Sequence, residues 1–278
     1  MSARTPSRTG IVLGALGAAT LGAAVVAAAA AWRHFGPHTY LRFSTMFGRA
    51  RVYQVEDDEG EAVRLLEVGG IVQSGTYVDE RYTELVFEYL KRYDLMFQTN
   101  RVIRRVAVLG CGGYDYPEHL IAHHADVQVD AVEIDPTITA IARRYFFLDR
   151  LIEEYETQQS GRLNLICADA LEHLRQTDTR YDAVVNDCFD AGAPPEHLTT
   201  RTFAEAVHLR LAPDGLYLTN IVSPLEGPGA AFLHEQMQIL GSVFRHVRAI
   251  PCDPDSLTEP DNVIVVASDG PLVAGQPF

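Results

Sequence analysis

Apolar positions change rhythm several times along this chain. In "RVYQVEDDEGEAVRLLEVGG", residues 51–70, two apolar-rich runs flank the polar turn Asp57-Asp58-Glu59-Gly60 and end at Gly69-Gly70, which predicts a β-hairpin. "IVQSGTYV", residues 71–78, offers a third strand. From Asp79 to about Gln98, Tyr82, Leu85, Val86, Tyr89 and Leu90 fall at helical spacing, with Asp79 placed as an N-cap. Beyond Asn100 short buried runs alternate with amphipathic ones. Strands are expected at "RVAVLG", "VQVDAVEI", "RLNLICA", "YDAVVND" and "GLYLTNIV", with helices at "EHLIAHHA", "PTITAIARRYF", "DALEHLRQ", "TRTFAEAVHLRL" and "GAAFLHEQMQILGSVF". Strand–helix alternation of this kind predicts an α/β domain with a doubly wound, mostly parallel sheet. "HVRAIPC" and "NVIVVAS" close the chain with no helix between them, which suggests one antiparallel edge strand. The resulting division is a tail at 1–33, a connector at 34–49, a small β-hairpin domain at 50–78 and a Rossmann-like domain at 79–278.

The first segment follows a different pattern. From Gly10 to Trp32 there is no charged residue, long enough for a helix to cross a bilayer, with Arg4 and Arg8 before it and Arg33 after. Because the run is mostly Ala and Gly, a retained anchor, a cleaved signal peptide and a non-inserted tail all fit. The expectation is a retained membrane anchor with the catalytic domain in the cytoplasm. Arginines are slightly in excess after the run, and no disulfide pattern appears among Cys111, Cys167, Cys188 and Cys252.

Composition adds two exclusions. At 47% hydrophobic and 22% charged the 278-residue chain has the means for a full core. Its net charge of −14 argues against nucleic acid as a partner and suits a small cationic or neutral substrate. His119 and His123 would share a helical face, but no HExxH arrangement occurs and no metal is expected.

In an open α/β sheet ligands sit beyond the carboxyl ends of the strands, so the residues just past each strand matter most. "LGCGG" follows the first, and Gly110, Gly112 and Gly113 allow a tight turn and close approach to a ligand. Glu133 ends the second strand, 23 residues beyond Gly110, near the spacing at which an acid chelates a ribose diol. Asp169 after the third strand either accepts from an adenine amino group or caps the next helix. Asp187 and Asp190 follow the fourth. Acids at successive strand ends beside one glycine loop make a nucleoside-shaped constellation with two carboxylates to spare.

That combination resembles the spermidine synthase family of aminopropyltransferases, which have the class I S-adenosylmethionine (SAM) methyltransferase fold behind a small N-terminal β-domain. The resemblance rests on "VLGCGG", "VEIDPTI", "ADALEHL", "YDAVVNDCFDAGAPPEHLT" and "FAEAVHLRLAPDGLYLTNI" and covers roughly residues 50–268. It implies that Glu133, with its neighbour Ile134, holds the ribose and that Asp169 with Ala170 holds the adenine. Gln73 and Tyr82 would face the polyamine, Asp187 would be the catalytic acid-base residue and Asp190 would bind a substrate ammonium. The implied donor is decarboxylated SAM and the acceptor a small cationic amine such as putrescine; a homodimer is compatible. The family's loop reads GGGDGG, with the Asp beside the aminopropyl end of the donor; here Gly113 stands at that position and Asp115 comes two residues later. The Tyr-Gln pair becomes Tyr82-Thr83, and Asp-Ser-Ser-Asp becomes Asp187-Cys188-Phe189-Asp190. A methyltransferase using intact SAM and a catalytically silent nucleoside- or polyamine-binding protein are the alternatives.

Physically, an alkylammonium near pKa 10 cannot attack an electrophile until it loses a proton. A carboxylate at a strand tip can hold the amine, take its proton and stabilise the developing charge.

Overall fold

The computed structural model describes residues 40–57, 59–188 and 194–272. A four-stranded antiparallel sheet comes first, with β1 (Leu41–Thr45), β2 (Gly48–Glu56), β3 (Ala62–Val68) and β4 (Ile71–Tyr77) in consecutive order. The hairpin and its third strand are therefore present, and β1 adds a strand that the polar/apolar pattern had assigned to a connector. Its sequence, LRFST, explains the omission: β1 is an edge strand, mostly exposed, with Arg42 opposite Arg51 and Phe43 opposite Ala50. An edge strand need not bury a face, so its pattern is weak.

The helix expected from Asp79 is shorter than its spacing suggested. Asp79 accepts from the backbone N–H of Arg81 at 2.8 Å and caps nothing further. The chain then runs in turns to α1 (Glu88–Arg92), which continues as a 3-10 helix over Tyr93–Gln98. Tyr82, Leu85, Tyr89 and Leu90 are all buried as the spacing implied. Burial at helical intervals was right, but helix forms only over the second half of the span, because the local Asx turn competes with it at the start.

Next come β5 (Arg105–Leu109), α2 (Asp115–His123), β6 (Gln128–Glu133), α3 (Pro136–Tyr145), α4 (Leu148–Glu154), α5 (Thr157–Ser160), β7 (Leu163–Cys167), α6 (Ala170–Gln176) and β8 (Tyr181–Asn186). α7 (Arg201–Arg210), β9 (Leu211–Ser223), α8 (Ala231–Gly241), β10 (His246–Pro251) and β11 (Asp261–Ser268) complete the fold. The seven strands lie in the order β10-β11-β9-β8-β5-β6-β7, with β7, β6, β5, β8 and β9 parallel. The antiparallel strand is β11, which lies inside the sheet between β9 and β10 rather than at its edge. Burial explains the arrangement. β11 is buried from Asn262 to Ser268, whereas β10 is only partly buried and tolerates the rim.

Along β5 alternate residues serve opposite faces. Val106 and Val108 join Leu120, Ile121, Tyr93 and the N-terminal sheet's Val52 and Leu65 in one core. Ala107 and Leu109 join Leu171, Leu174, Phe203 and Val207 in the other. The small sheet thus shares its core with one face of the large one. The chain leaves β5 toward β6 and β7, then returns to β8 on β5's other side, so the topological switch point lies at the carboxyl ends of β5, β6 and β8.

The expectation of a membrane-anchored protein is corrected. Among the described residues no helix is long and apolar enough to cross a membrane, and the segment that carried the expectation, residues 10–32, lies outside them. The cytoplasmic placement that depended on the anchor goes with it.

Candidate active site

β5 ends at Leu109, and the turn that follows has to reverse direction inside a crowded crevice. Gly110 and Gly112 take left-handed backbone angles, φ 79° and 50°. A side chain at Gly110 would begin 2.8 Å from the carbonyl oxygen of Asp187, so the glycine loop and the tip of β8 are in direct backbone contact. The third glycine serves close approach. A side chain at Gly113 would begin 2.7 Å from Asp115 Oδ1 and 2.8 Å from Ser74 Cβ. The Gly113 N–H donates to Ser74 Oγ at 2.6 Å, which ties the loop to β4.

Glu133 ends β6 and is almost fully buried. Its Oε2 accepts from the N–H groups of Cys111 at 3.1 Å and Gly112 at 3.4 Å, and its Oε1 from Asp135 N–H at 2.9 Å. Burial raises its pKa, and these amide donors pull the other way. The carboxylate therefore shapes the glycine loop, with lone pairs to spare for a diol. Ile134, the next residue, is partly buried. Asp169 caps α6 through Glu172 N–H at 3.0 Å, and its second oxygen lies 2.8 Å from His197 Nε2. Burial pushes the Asp169 carboxyl up, but the hydrogen bonds from His197 and Glu172 outweigh it and hold it below the ordinary value. Ala170, buried, opens the helix.

Asp187 follows β8. Its Oδ2 accepts from the Tyr89 hydroxyl at 3.0 Å and its Oδ1 from Asn220 Nδ2 at 3.3 Å. Tyr93, whose buried hydroxyl has no hydrogen-bond partner among the described residues, also bears on this carboxylate. Burial raises the Asp187 pKa to about 6 against those donors. Asp115, at the start of α2, accepts from Gly75 N–H at 3.0 Å. Burial lifts its pKa to about 7, and the charge of Asp187 adds to the rise. Glu118, one turn further on, is 1% exposed, and burial drives its pKa well above the ordinary carboxylate value. The groups that act on Asp115, Glu133 and Asp187 are amides, hydroxyls and other acids; among the described residues no basic side chain offsets them.

Gln73 and Tyr82 are placed differently from one another. The Gln73 carbonyl lies 3.8 Å from where a side chain at Gly112 would begin. The Tyr82 hydroxyl donates to Glu154 at 2.9 Å, and its ring lies 5.3 Å from that of Phe147 and under Arg150. Tyr89 and Tyr93, not Tyr82, are the tyrosines at Asp187. Asp190 lies outside the described residues.

Residues 85–250, more than half of the chain, match the family model described as the spermine/spermidine synthase domain. The chain belongs to the spermine/spermidine synthase family. A polyamine aminopropyltransferase of Vibrio vulnificus is 28% identical over 158 residues, 56% of this chain and 50% of the relative. The chain spans about half the length of the curated relatives it matches first. Among solved structures, a probable spermidine synthase from Corynebacterium glutamicum superposes with a TM-score of 0.71 at 20% identity, covering 87% of this chain and 84% of that one. A spermidine synthase in complex with the transition-state analogue AdoDATO gives 0.61 at 19%, covering 83% and 73%. At these identities the structural likeness concerns the fold: a mostly parallel α/β domain behind an N-terminal antiparallel sheet.

The residues not anticipated as site members are Ser74, Tyr89, Tyr93, Asp115, His197 and Asn220. Asn220 had the clearest signal, since it lies toward the carboxyl end of β9, the fifth strand in the same series.

Proposed function

We propose that this protein is an aminopropyltransferase that moves the aminopropyl group of decarboxylated SAM to a diamine such as putrescine and releases methylthioadenosine. The observation that carries this reading is the pair of buried acids Asp115 and Asp187, both raised by burial and neither offset by a basic residue among those described. Such a pair is costly to ionise and gains most from a cationic ligand. The donor's own ammonium fits Asp115. Its carboxylate oxygen lies against Gly113, so an acid two residues later in sequence reaches the place where the family's loop acid would begin. Intact SAM carries a carboxylate at that end, which Asp115 would repel. This disfavours the methyltransferase alternative.

In the reaction the acceptor nitrogen gives a proton to Asp187 and its lone pair attacks the carbon beside the sulfonium. The new N–C bond forms as the C–S bond breaks. The bonding pair goes to sulfur, and methylthioadenosine leaves as a neutral thioether. Tyr89 and Asn220 hold the carboxylate in place, so attack is pre-oriented. On the nucleoside side, Gly110, Gly112 and Gly113 support close approach, and Glu133 with Ile134 takes the ribose. Asp169 and Ala170 take the adenine, with the adenine amino group competing with His197 for Asp169. Gln73 lines the acceptor side. Asp190 as the second ammonium site rests on the sequence resemblance, as does Tyr82 as an acceptor contact.

Calorimetry with methylthioadenosine, and then with putrescine in its presence, tests the reading. Both should bind, the amine more weakly below pH 6. Failure of the nucleoside to bind would refute it.

A further inference from the structure

One turn along α2 from Asp115, His119 lies between two groups that can only accept. Its Nδ1 is 3.2 Å from the Thr83 carbonyl oxygen and its Nε2 is 2.8 Å from Asp94 Oδ2. A neutral imidazole has one N–H and satisfies one of them. If Nδ1–H donates to Thr83, the Nε2 lone pair faces a carboxylate lone pair, and a cation between them removes the conflict. A ring N–H on a backbone carbonyl is also the usual outer-shell support of a metal-binding histidine.

The other groups are arranged in the same way. Asp94 Oδ1 accepts from the Tyr116 hydroxyl at 3.0 Å, which turns Oδ2 toward His119 Nε2. The ring of His124 is stacked on Phe97, with centroids 3.6 Å apart and planes 10° from parallel, which fixes its orientation. One ligand atom from each of Asp94, His119 and His124 lies within 4.8 Å of the others. Bonds of about 2.0–2.1 Å to tetrahedral zinc put ligands about 3.3 Å apart, so modest side-chain rotation closes the site. Asp94 and His124 are only partly buried, which leaves room for water as a fourth ligand. His123 packs against His119 with rings tilted by 30° and centroids 4.4 Å apart, but its Nε2 is turned to Glu84 at 3.5 Å.

We propose that Asp94, His119 and His124 bind one divalent transition ion, with zinc favoured by the two-nitrogen, one-oxygen ligand set. The ion would clip the 3-10 helix Tyr93–Gln98 to α2, two segments that carry Tyr93 and Asp115 into the acidic site. The proposal is independent of the reaction assigned above.

The test uses the full chain stripped with a chelator and titrated with Co²⁺, read by visible absorbance, then with Zn²⁺, read by displacement and by the thermal unfolding midpoint. One ion per chain, a Co²⁺ band removed by Zn²⁺ and a raised midpoint are expected. Asp94→Asn, which keeps the Tyr116 hydrogen bond, and His124→Gln, at a partly exposed position, should each weaken Co²⁺ by at least about tenfold, and His123→Gln should not. Without metal, the His124→Gln midpoint should fall no further than loss of the Phe97 stack accounts for, and Zn²⁺ should not raise it as it raises the parent's. Absence of a saturable band in the parent, or an equal band in both ligand variants, would overturn the site and leave His119 as a hydrogen-bonded link between Thr83 and Asp94.

Discussion

Asp115→Asn separates the cost of the acidic site from its use. The carboxyl has moved from 3.8 to about 7 because it is buried. A folded-state pKa above the unfolded one means that the folded protein binds the proton more tightly. The associated stability is complete below pH 3.8 and is lost as pH rises through about 7. At 1.36 kcal/mol per decade, the loss between pH 5 and pH 8 is about 2.5 kcal/mol. Asn keeps an oxygen to accept from Gly75 N–H and has nothing to ionise. Equal to a protonated Asp within about 1 kcal/mol, the worth of one hydrogen bond, the variant should exceed the parent by about 1.5 kcal/mol at pH 5. At pH 8 the excess should grow by the further 2.5 kcal/mol, to about 4 kcal/mol. Urea denaturation at the two pH values measures the difference. An equal stability change at both would mean that Asp115 is not a buried acid titrating near neutrality, and the charge argument for a cationic ligand would fail with it.

Asp187→Asn should lower turnover by about 10²–10⁴-fold while methylthioadenosine affinity, read by calorimetry, stays near that of the parent. The acidic limb of the kcat/KM profile should fall near pH 6, where Asp187 loses its proton. Tyr89→Phe removes a donor that favours the ionised form, so its limb should move to higher pH; an unmoved limb would assign that ionisation to another group. Glu133→Ala leaves three loop amides without their acceptor and should cost about 1.5–3 kcal/mol of methylthioadenosine binding, measured by calorimetry.

The parallel core and the strand-end acids were legible because β5, β6, β7 and β8 are short, apolar and separated by helices, so period and punctuation agree. β1 was not, since an exposed edge strand leaves no burial pattern to read. The place of β11 depends on which of two strands has both faces covered, a comparison that becomes visible only in the assembled sheet. At the site, Asp187 and Glu133 could be found by their positions. Tyr89 was read as core, which it also is, because a buried tyrosine shows its apolar ring in the pattern and hides its hydroxyl. Asp115 looked like a departure from the family pattern. Only the turn through Gly112 and the left-handed Tyr114, φ 69°, brings its carboxylate back against Gly113.

Mass spectrometry of the acceptor after incubation with putrescine and either decarboxylated SAM or SAM tests the central claim most directly. An amine enlarged by one aminopropyl group, with one methylthioadenosine released for each, formed only from the decarboxylated donor and lost in Asp187→Asn, is the predicted result. A methylated amine from intact SAM, or an unchanged amine with both donors, would contradict it.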